Sequence, residues 1–408
     1  MKDNDHKRLG RAQKIYHVDP LVGRGLPLWL PHGMAIREEL EKFIKELEFK
    51  AGYQRVSSPH LARESLYELS GHLSYYKEGM YPAMAADENE IYRLRPMNCP
   101  HHHRIDSSEL RSYRDLPLKI AEFGQVYRLE ASGALSGLLR VRGLCQNDAH
   151  LYCREDQVKE EFKEVMRMHL EVYRVLNIKN YRMRLSMWDP DDSVNYVPDP
   201  KKWEWSQNLL REAMRELDLE FVEAPGEAAF YGPKIDVQLV SAQGREESFS
   251  TIQLDFAQAG KMDLSYIGPD GEKHRPVILH RAPLGSHERM MAFLLELYEG
   301  HWPSWLAPVQ VKILPVSRAQ EAAAIALASE LRSRFIRVEV DSREESLDFR
   351  VREALSAKIP SVLVLGRREI EAGLVSLRQR RVSKNVVMKK EEFLVELEEK
   401  IRLRLHDV

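Results

Sequence analysis

Arginine and carboxylate side chains are concentrated in one stretch of the sequence, residues 121–150. The polar residues of its last 23 positions include Arg128, Glu130, Arg140, Arg142, Gln146, Asp148 and His150. Because the guanidinium group is planar and donates paired hydrogen bonds, several arginines brought to one place would suit phosphate. A salt-bridged hairpin at the edge of a sheet is the alternative, since Glu130 could pair with one of the arginines.

A second group of chemically active residues is the tract that follows Met97-Asn98, in which Cys99 is followed by His101, His102 and His103. Such a tract is typical of metal binding. Consecutive residues on a helix or strand point in different directions, however, so one ion cannot take all four. We therefore expect one or two metal ligands at most from this tract.

The arginine-rich stretch needs a pair of strands to hold it. An apolar run predicts a strand ending at Tyr127, and Ala131–Ala134 with Gly137 predicts a turn. The alternation of residues 138–142 predicts a returning strand. The stretch would then be an antiparallel hairpin with a long loop.

The remainder of the first 300 residues predicts an antiparallel sheet flanked by helices, and hence an α+β fold. Helices are predicted within residues 1–20, at 33–49, 155–175 and 201–218, and strands at 53–59, 228–240 and 247–256. Residues 276–300 predict a strand, a turn and an apolar helix.

The pattern changes after the Pro- and Trp-rich segment 301–308, where strands and helices begin to alternate. Alternation predicts a smaller α/β domain with a mostly parallel sheet, so we place the domains at 1–304 and 305–408. Residues 367–390 of this domain are basic, which favours an RNA-binding face over a merely solvated one. The basic residues are Arg367, Arg368, Arg378, Arg380, Arg381, Lys384, Lys389 and Lys390.

Composition limits the classes of protein that need to be considered. The 408 residues carry a formal net charge of −2, so nucleic acid would need a local basic patch. Three cysteines without a CxxC pair argue against a disulfide framework and indicate a reducing, cytoplasmic setting. No apolar run approaches the ~18 residues that span a bilayer, and the charged N-terminus does not look like a signal peptide.

The stretch FGQVYRLEASGALSGLLRVRG resembles motif 2 of the class II aminoacyl-tRNA synthetases. The residues that follow it, LCQNDAH, resemble the corresponding residues of the threonyl-tRNA synthetases within that class. The helix and strand ending at Pro59 resemble motif 1, and GSHERMM resembles motif 3. The resemblance implies a homodimeric ligase that joins threonine to tRNA(Thr) with ATP and Mg²⁺. WLAPVQV, FRVREAL, PSVLVLG and VSLRQRR resemble the family's anticodon-binding domain.

The resemblance also implies a zinc ion in the active site, held by Cys99 of MNCP, His150 of QNDAH and His280 of VILHRA. One thiolate and two imidazoles suit Zn²⁺, and three protein ligands leave room for substrate. Threonine could then bind through its amino nitrogen and hydroxyl, whereas valine lacks the second ligand. Serine offers the same two groups, so the metal alone would discriminate poorly against it.

Further roles carry over by motif. The resemblance places Asp148 and Tyr231 at the substrate ammonium and Gln146 and Lys234 near the carboxylate and phosphate, with Lys234 among the catalytic residues. Arg128 would hold the α-phosphate, Glu130 the adenine, and Arg289 the adenine and γ-phosphate. Arg140 and Gln253 would make further ATP contacts. His72 would lie near the terminal ribose of tRNA and help the transfer, and Glu369 and Arg378 would read anticodon bases.

The sequence also departs from the family. His101, Leu129, Ala131 and Ser136 replace the usual Gly, Asn, Pro and His. The N-terminal editing region of typical bacterial members does not precede the matching part, which predicts either a fragment or a short enzyme. The alternatives are an inhibitor-tolerant copy, a non-charging paralogue that binds tRNA or a partner, and a ligase for another hydroxy amino acid such as serine.

Overall fold

The computed structural model describes residues 5–192, 195–240, 244, 246–380 and 385–407. The α-helices are α1 His6–Ala12, α2 Pro31–Lys50, α3 Glu64–Leu69, α4 His72–Tyr75, α5 Cys99–Asp106, α6 Val158–Val175, α7 Pro200–Glu216, α8 Gln258–Lys261, α9 His287–Leu297, α10 Glu321–Ser333, α11 Leu347–Ser356, α12 Arg367–Ala372 and α13 Lys390–Arg402.

The strands are β1 Tyr16–His17, β2 Leu28–Trp29, β3 Gln54–Arg55, β4 Leu61–Arg63, β5 Met84–Ala85, β6 Ile91–Leu94, β7 Arg111–Ser112, β8 Leu118–Tyr127, β9 Gly143–Cys153, β10 Tyr181–Met187, β11 Val222–Pro225, β12 Lys234–Val240, β13 Glu246–Asp255, β14 Tyr266–Ile267, β15 Lys273–His274, β16 Val277–Arg281, β17 Val311–Pro315, β18 Val338–Val340, β19 Ser361–Leu365, β20 Leu374–Gln379 and β21 Val386–Lys389.

The described residues fall into two compact units. The large-sheet unit comprises Val18–Pro27 and Ile44–Phe293, and the five-stranded unit comprises the described parts of Met1–His17, Leu28–Phe43 and Leu294–Val408. The domain boundary at 304/305 stays a prediction. Within the described residues, no helix combines the length and the apolar character that a bilayer crossing requires.

The large-sheet unit is built on an eight-stranded sheet in the order β11-β10-β12-β13-β16-β9-β8-β3. Its central pairs are antiparallel, from β10 across to β8. Helix α6 covers the sheet because its apolar residues recur every three or four positions, at Val158, Phe162, Val165, Met168 and Val172, and all five are buried. The predicted α+β class is confirmed.

The central hairpin of this sheet differs from the predicted one. Strand β8 ends at Tyr127 as predicted, but its partner β9 starts only at Gly143, opposite Tyr127. Residues 138–142 are not a strand, because Gly137 has a left-handed φ of 52° and Ser136 pairs with Arg140 across a tight turn. The strand prediction for 138–142 was wrong: its alternation belongs to a loop whose Arg142 amide donates to the Gly25 carbonyl at 2.7 Å.

The five-stranded unit has the sheet order β18-β17-β19-β20-β21. The first three strands are parallel and the last two pairs are antiparallel. One core lies between the sheet and helices α10 and α13, and a second includes residues of α11. The basic stretch contains α12, β20 and β21, which the alternation did not predict, and its Arg381 and Lys384 lie outside the described residues.

Candidate active site

The three predicted metal ligands come from three neighbouring elements of the large-sheet unit. Cys99 is the first residue of α5, His150 lies in β9, and His280 lies in β16. His150 and His280 are directly opposite each other in the antiparallel pair β9–β16, with ring centroids 4.5 Å apart. All three side chains are buried. Residues that are far apart in the sequence therefore meet because of strand register.

Each of the two imidazoles is held through one of its ring nitrogens. His280 Nε2 lies 3.0 Å from Oδ2 of the fully buried Asp255. His150 Nδ1 lies 2.8 Å from His102 Nδ1, and His102 Nε2 lies 3.1 Å from Glu122 Oε2. Histidine ligands of metals commonly have one ring nitrogen held in this way, which fixes the ring and leaves the other nitrogen for the ion.

The donor set fits a soft divalent cation. Burial raises the pKa of the Cys99 thiol well above its ordinary value, and the carboxylates of Asp148 and Asp255 act in the same direction. Burial, followed by His280, lowers the pKa of His150 well below its ordinary value. A neutral imidazole and a buried thiol beside two carboxylates form a set that a cation would stabilise. In the part of the chain that the structure describes, the ligand atoms of Cys99, His150 and His280 do not all lie within 4.8 Å of one another.

Predicted substrate-binding residues surround this cluster. The Tyr231 ring stacks on His280 at a centroid distance of 5.3 Å, and its hydroxyl donates to Gln253 Oε1. Asp148 Oδ2 accepts a hydrogen bond of 2.9 Å from Asn98 Nδ2. The carboxylate and the phenol thus flank the histidine pair.

His72 lies on the other side of Cys99. Its Nε2 is 3.7 Å from Cys99 Sγ, and its Nδ1 is 2.8 Å from Ser70 Oγ. Burial, followed by His280 and Lys261, lowers the pKa of His72 to about 4. The imidazole is therefore neutral at pH 7.

Lys234 begins β12 directly opposite Gln253 of β13, which is in turn opposite His280 of β16. Lys234 Nζ lies 2.9 Å from Oδ2 of the buried Asp236. Three predicted site residues therefore form one row across three neighbouring strands.

The predicted phosphate-binding arginines form a separate cationic group. Burial lowers the pKa of Arg289, and the next cause is the nearby charge of Arg128; Arg140 contributes in the same direction. Arg289 donates to the Ser248 carbonyl at 2.6 Å, and Arg128 donates to the Pro96 carbonyl at 3.3 Å. Like charges held this close to each other favour the binding of an anion.

Glu130 pairs with Arg140 at 2.9 Å, so the ion pair of the alternative interpretation exists within the same loop. Gln146 of β9 pairs with Ser286 through an isolated β-bridge, which brings β9 to the residue before α9. Arg289 itself lies in the first turn of α9. The motif 2 and motif 3 residues therefore meet.

The two predicted anticodon residues lie in the five-stranded unit. Glu369 Oε2 accepts from the Gly366 amide at 3.0 Å and caps α12. Arg378 lies in β20, and its Nε is buried without a hydrogen-bond partner among the described residues. Arg378 Nε is thus a donor that no described group of the chain accepts.

Sequence reasoning missed the residues that hold the predicted ones in place. Asn98 supports Asp148, Asp255 supports His280, and His102 with Glu122 supports His150. Asn98 and Asp255 stand next to motif residues, in MNCP and QLDF. This proximity could have identified them as supporting residues from the sequence alone. No such signal marked Glu122, which lies in the middle of β8.

Comparison with known proteins agrees with this geometry. The sequence profile described as tRNA synthetase class II core domain (G, H, P, S and T) matches residues 81–298, more than half of the chain. The profile described as anticodon binding domain matches residues 310–400. The chain therefore belongs to the class II aminoacyl-tRNA synthetases.

Individual relatives show which members of this class the chain is similar to. A threonine–tRNA ligase of Geobacillus sp. (strain WCH70) is 48% identical over 402 residues, which are 98% of this chain and 62% of that protein. One from Halalkalibacterium halodurans is 50% identical over 379 residues, 93% of this chain and 59% of that protein. The crystal structure titled as the RNA binding domain of threonyl-tRNA synthetase from Cryptosporidium parvum Iowa II has a TM-score of 0.91 and 32% identity, covering 97% of this chain and 98% of that one.

Within the class, these matches assign the chain to the threonyl-tRNA synthetases. The chain spans about three fifths of the length of the curated relatives it matches, 62% and 59% for the two named above.

Proposed function

We propose that this protein is an ATP-dependent threonine–tRNA ligase. A carboxylate oxygen of threonine attacks the α-phosphorus of ATP, the bond to the β-phosphate oxygen breaks, and pyrophosphate leaves. The terminal ribose hydroxyl of tRNA(Thr) then attacks the acyl carbon of the adenylate, loses its proton, and AMP leaves. The observation that carries the proposal is that the Cys/His cluster with Asp148 and Tyr231, and the group of Arg128, Arg140 and Arg289, lie in one unit.

Adenylate formation depends on positioning and on charge, without a covalent nucleophile of the protein. Arg128 would hold the α-phosphate as charge develops there, and Arg289 the adenine and γ-phosphate. Burial is the main cause that lowers the pKa of Arg289, and the nearby charge of Arg128 adds to it; a polyanion bound between the two arginines would neutralise their repulsion. Arg140, Gln253 and Glu130 would complete the ATP site, with Glu130 next to the adenine and Mg²⁺ accompanying the phosphates.

Amino acid binding uses the other half of the site. Asp148 would accept from the threonine ammonium, and the Tyr231 hydroxyl would share that group. Gln146 and Lys234 would contact the carboxylate that reacts. Asn98 holds the Asp148 carboxylate at 2.9 Å, which orients it before substrate arrives.

Cys99, His150 and His280 would hold Zn²⁺, which would supply ligation of the threonine amine and hydroxyl. Valine is nearly isosteric with threonine but lacks the hydroxyl, and a site built around a hydroxyl rejects such an analogue by about four orders of magnitude. The fit of the donors supports this assignment: the thiol and two imidazoles are buried, and the imidazoles are each anchored through one nitrogen.

His72 is proposed to assist the transfer step. The pKa of about 4 keeps its imidazole uncharged at pH 7, and the contact with Ser70 Oγ at 2.8 Å fixes the ring. A neutral, oriented imidazole can accept the proton of the ribose hydroxyl.

The proposal includes tRNA(Thr) as the partner of the five-stranded unit, through Arg378 and Glu369. It also includes a homodimer in the cytoplasm. The three cysteines, all buried and free of disulfides, support a reducing setting.

The test is amino-acid-dependent exchange of pyrophosphate into ATP, measured with threonine, serine and valine on metal-analysed protein. We expect strong exchange with threonine, weaker exchange with serine and none with valine. Cys99→Ala should abolish the exchange together with the bound zinc. Cys153→Ala is the matched control, because it removes another buried thiol of the large sheet, at the far end of β9.

Absence of exchange with every amino acid, in folded and zinc-loaded protein, would overturn the ligase assignment and favour a paralogue that only binds tRNA. Faster exchange with serine than with threonine would instead reassign the substrate.

A further inference from the structure

Glu122 is a buried carboxylate that lies two hydrogen bonds away from a predicted metal ligand. It stands in the middle of β8 and is 4% exposed. Its Oε2 lies 3.1 Å from His102 Nε2, and His102 Nδ1 lies 2.8 Å from His150 Nδ1. His102 and His150 are buried as well, so bulk water does not compete for these contacts.

Three further donors indicate that Glu122 carries its negative charge. The Ser58 amide donates to Oε1 at 3.0 Å, the Ser58 hydroxyl donates to Oε2 at 2.6 Å, and Arg95 donates to Oε1 at 3.3 Å. Burial by itself raises the pKa of Glu122, but the hydrogen bonds from His102 and Ser58, together with the charge of Arg95, lower it to about 2. Both oxygens therefore accept hydrogen bonds, and neither has a proton to donate.

The charge of Glu122 decides which nitrogen of each histidine carries a proton. Because a carboxylate only accepts, His102 Nε2 must donate to it. A neutral imidazole has one N–H, so His102 Nδ1 is left as an acceptor, and His150 Nδ1 must supply the proton of the second hydrogen bond. Arg95 already balances the charge of Glu122, so a second proton on His102 would leave a positive charge uncompensated in the core.

His150 is thereby left with its lone pair on Nε2. A metal binds a histidine only at a ring nitrogen without a proton, so the other tautomer of His150 would turn an N–H toward the ion. At His280 the buried Asp255 contacts the ring directly, at 3.0 Å. At His150 the acid acts through a second imidazole, and Glu122 thus fixes two rings with one charge.

We propose that Glu122 is a positioning residue of the metal site, which acts through His102 to hold His150 in the tautomer whose Nε2 can bind the ion. This inference rests on the metal of the proposed function. The isosteric change Glu122→Gln should reverse the relay. The amide NH₂ of the new side chain can donate to His102 Nε2, so His102 Nδ1 would donate to His150 Nδ1, and the proton of His150 would move to Nε2.

The test is long-range proton–nitrogen correlation NMR on the full chain, labelled with ¹⁵N-histidine and stripped of metal. The signals of the two rings are assigned by their loss in His102→Asn and His150→Asn. In the unaltered protein we expect the proton of His102 on Nε2 and that of His150 on Nδ1. In Glu122→Gln both protons should be on the opposite nitrogens, and zinc retention against a chelator should weaken about 10- to 100-fold.

Glu48→Gln is the matched control, because Glu48 is a fully buried carboxylate of the same unit. It accepts from Arg281 at 2.9 Å, from Asn147 at 3.2 Å and from Arg55 at 2.5 Å. The same change there removes a buried charge outside the relay of Glu122. It should lower stability but leave the tautomers and zinc retention unchanged.

The outcomes separate the two failures. A proton on His150 Nε2 in the unaltered protein would overturn the role of Glu122 whether or not zinc binds, and this result does not depend on the folding of a variant. Unchanged tautomers in Glu122→Gln, or equal losses of zinc in Glu122→Gln and Glu48→Gln, would overturn it as well. Folded protein that has the expected tautomers but binds no zinc would instead overturn the metal of the proposed function.

Discussion

Buried neutral histidine is the main pH-sensitive feature at the scale of single residues. His169 in α6 is a case remote from the predicted metal ligands: it is fully buried, and its Nδ1 lies 3.3 Å from Ser250 Oγ. Burial, followed by the charge of Arg281, lowers its pKa from 6.5 to about 3. The unfolded chain therefore binds one more proton than the folded chain at this position between about pH 6.5 and pH 3.

The sign of the pH dependence follows directly. The contribution of the neutral His169 to the free energy of unfolding is fully present above pH 6.5. It falls by about 1.4 kcal/mol for each pH unit below that value. We predict that His169→Leu reduces the slope of the unfolding free energy between pH 6 and pH 4.5 by about that amount. Urea unfolding followed by tryptophan fluorescence at four pH values measures it.

The control for this measurement is His274, a histidine on the surface rather than in the core, so its replacement removes an imidazole without removing a buried one. His274→Leu should leave the acid slope of stability nearly unchanged. Equal slopes in the unaltered protein and in His169→Leu would mean that His169 is already protonated in the folded state.

The sequence motifs predicted candidate site residues, but not the side chains that hold them in place. Asp148, Tyr231 and His280 were predicted because they stand in recognisable motifs. Asp255 and His102 were not, because their roles depend on which residues face each other across strands and between a helix and the sheet. Strand register is set by the packing of the whole sheet, and a local pattern does not contain it.

Among the elements, β8 and β9 form the framework of the site. Long helices such as α2 and α6 were predicted to within a few residues, since their 3.6-residue period extends over several turns. The loop between β8 and β9 was mistaken for a strand because alternation over five residues also occurs in irregular segments. Gly137, with a φ of 52°, was the local signal against a strand.

A close approach between β8 and α5 gives a prediction for these elements. A Cβ on Gly124 would lie 2.3 Å from Asn98 Oδ1, the side chain that holds Asp148. We predict that Gly124→Ala displaces Asn98 and raises the KM for threonine about tenfold, since a hydrogen bond to a charged group contributes about 1.5–3 kcal/mol. The KM for ATP should change by less than about twofold, and pyrophosphate exchange measures both.

A double-mutant cycle with Asn98→Ala identifies the cause. If displacement of Asn98 explains the effect, Gly124→Ala adds little in the Asn98→Ala background. Additive effects, or equal changes in the two KM values, would show that the strand itself has shifted.

At the scale of the whole molecule, the assigned chemistry is divided between the two units. Every residue proposed for adenylate formation lies in the large-sheet unit, within Ile44–Phe293. The sequence pattern changes after residues 301–308, where strands and helices begin to alternate. This change predicted the separate α/β fold of the C-terminal part. The grouping of the described part of the first 17 residues with the C-terminal residues was not predictable. It depends on contacts between residues far apart in the sequence, such as the hydrogen bond that His6 Nδ1 donates to the Glu296 carboxylate at 2.7 Å.

This division predicts that tRNA binding can be weakened without loss of adenylate formation. Arg378 is the basic residue to change, since it lies in β20 of the five-stranded unit and is one of the two residues proposed to contact the anticodon. We expect Arg378→Ala to weaken binding of tRNA(Thr) and, if Arg378 meets a phosphate, to reduce the slope of log affinity against log salt by about 1. Pyrophosphate exchange with threonine should stay unchanged.

The control for Arg378 is an arginine of the same unit whose charge is already neutralised. Arg343 pairs with Asp341 at 2.7 Å and also with Glu353, so Arg343→Ala should change neither the affinity nor the salt slope. Filter binding at several salt concentrations gives both quantities. A loss of affinity in Arg378→Ala with an unchanged slope would indicate that Arg378 contacts a base rather than a phosphate, and equal losses in both variants would mean that the unit does not bind RNA through β20.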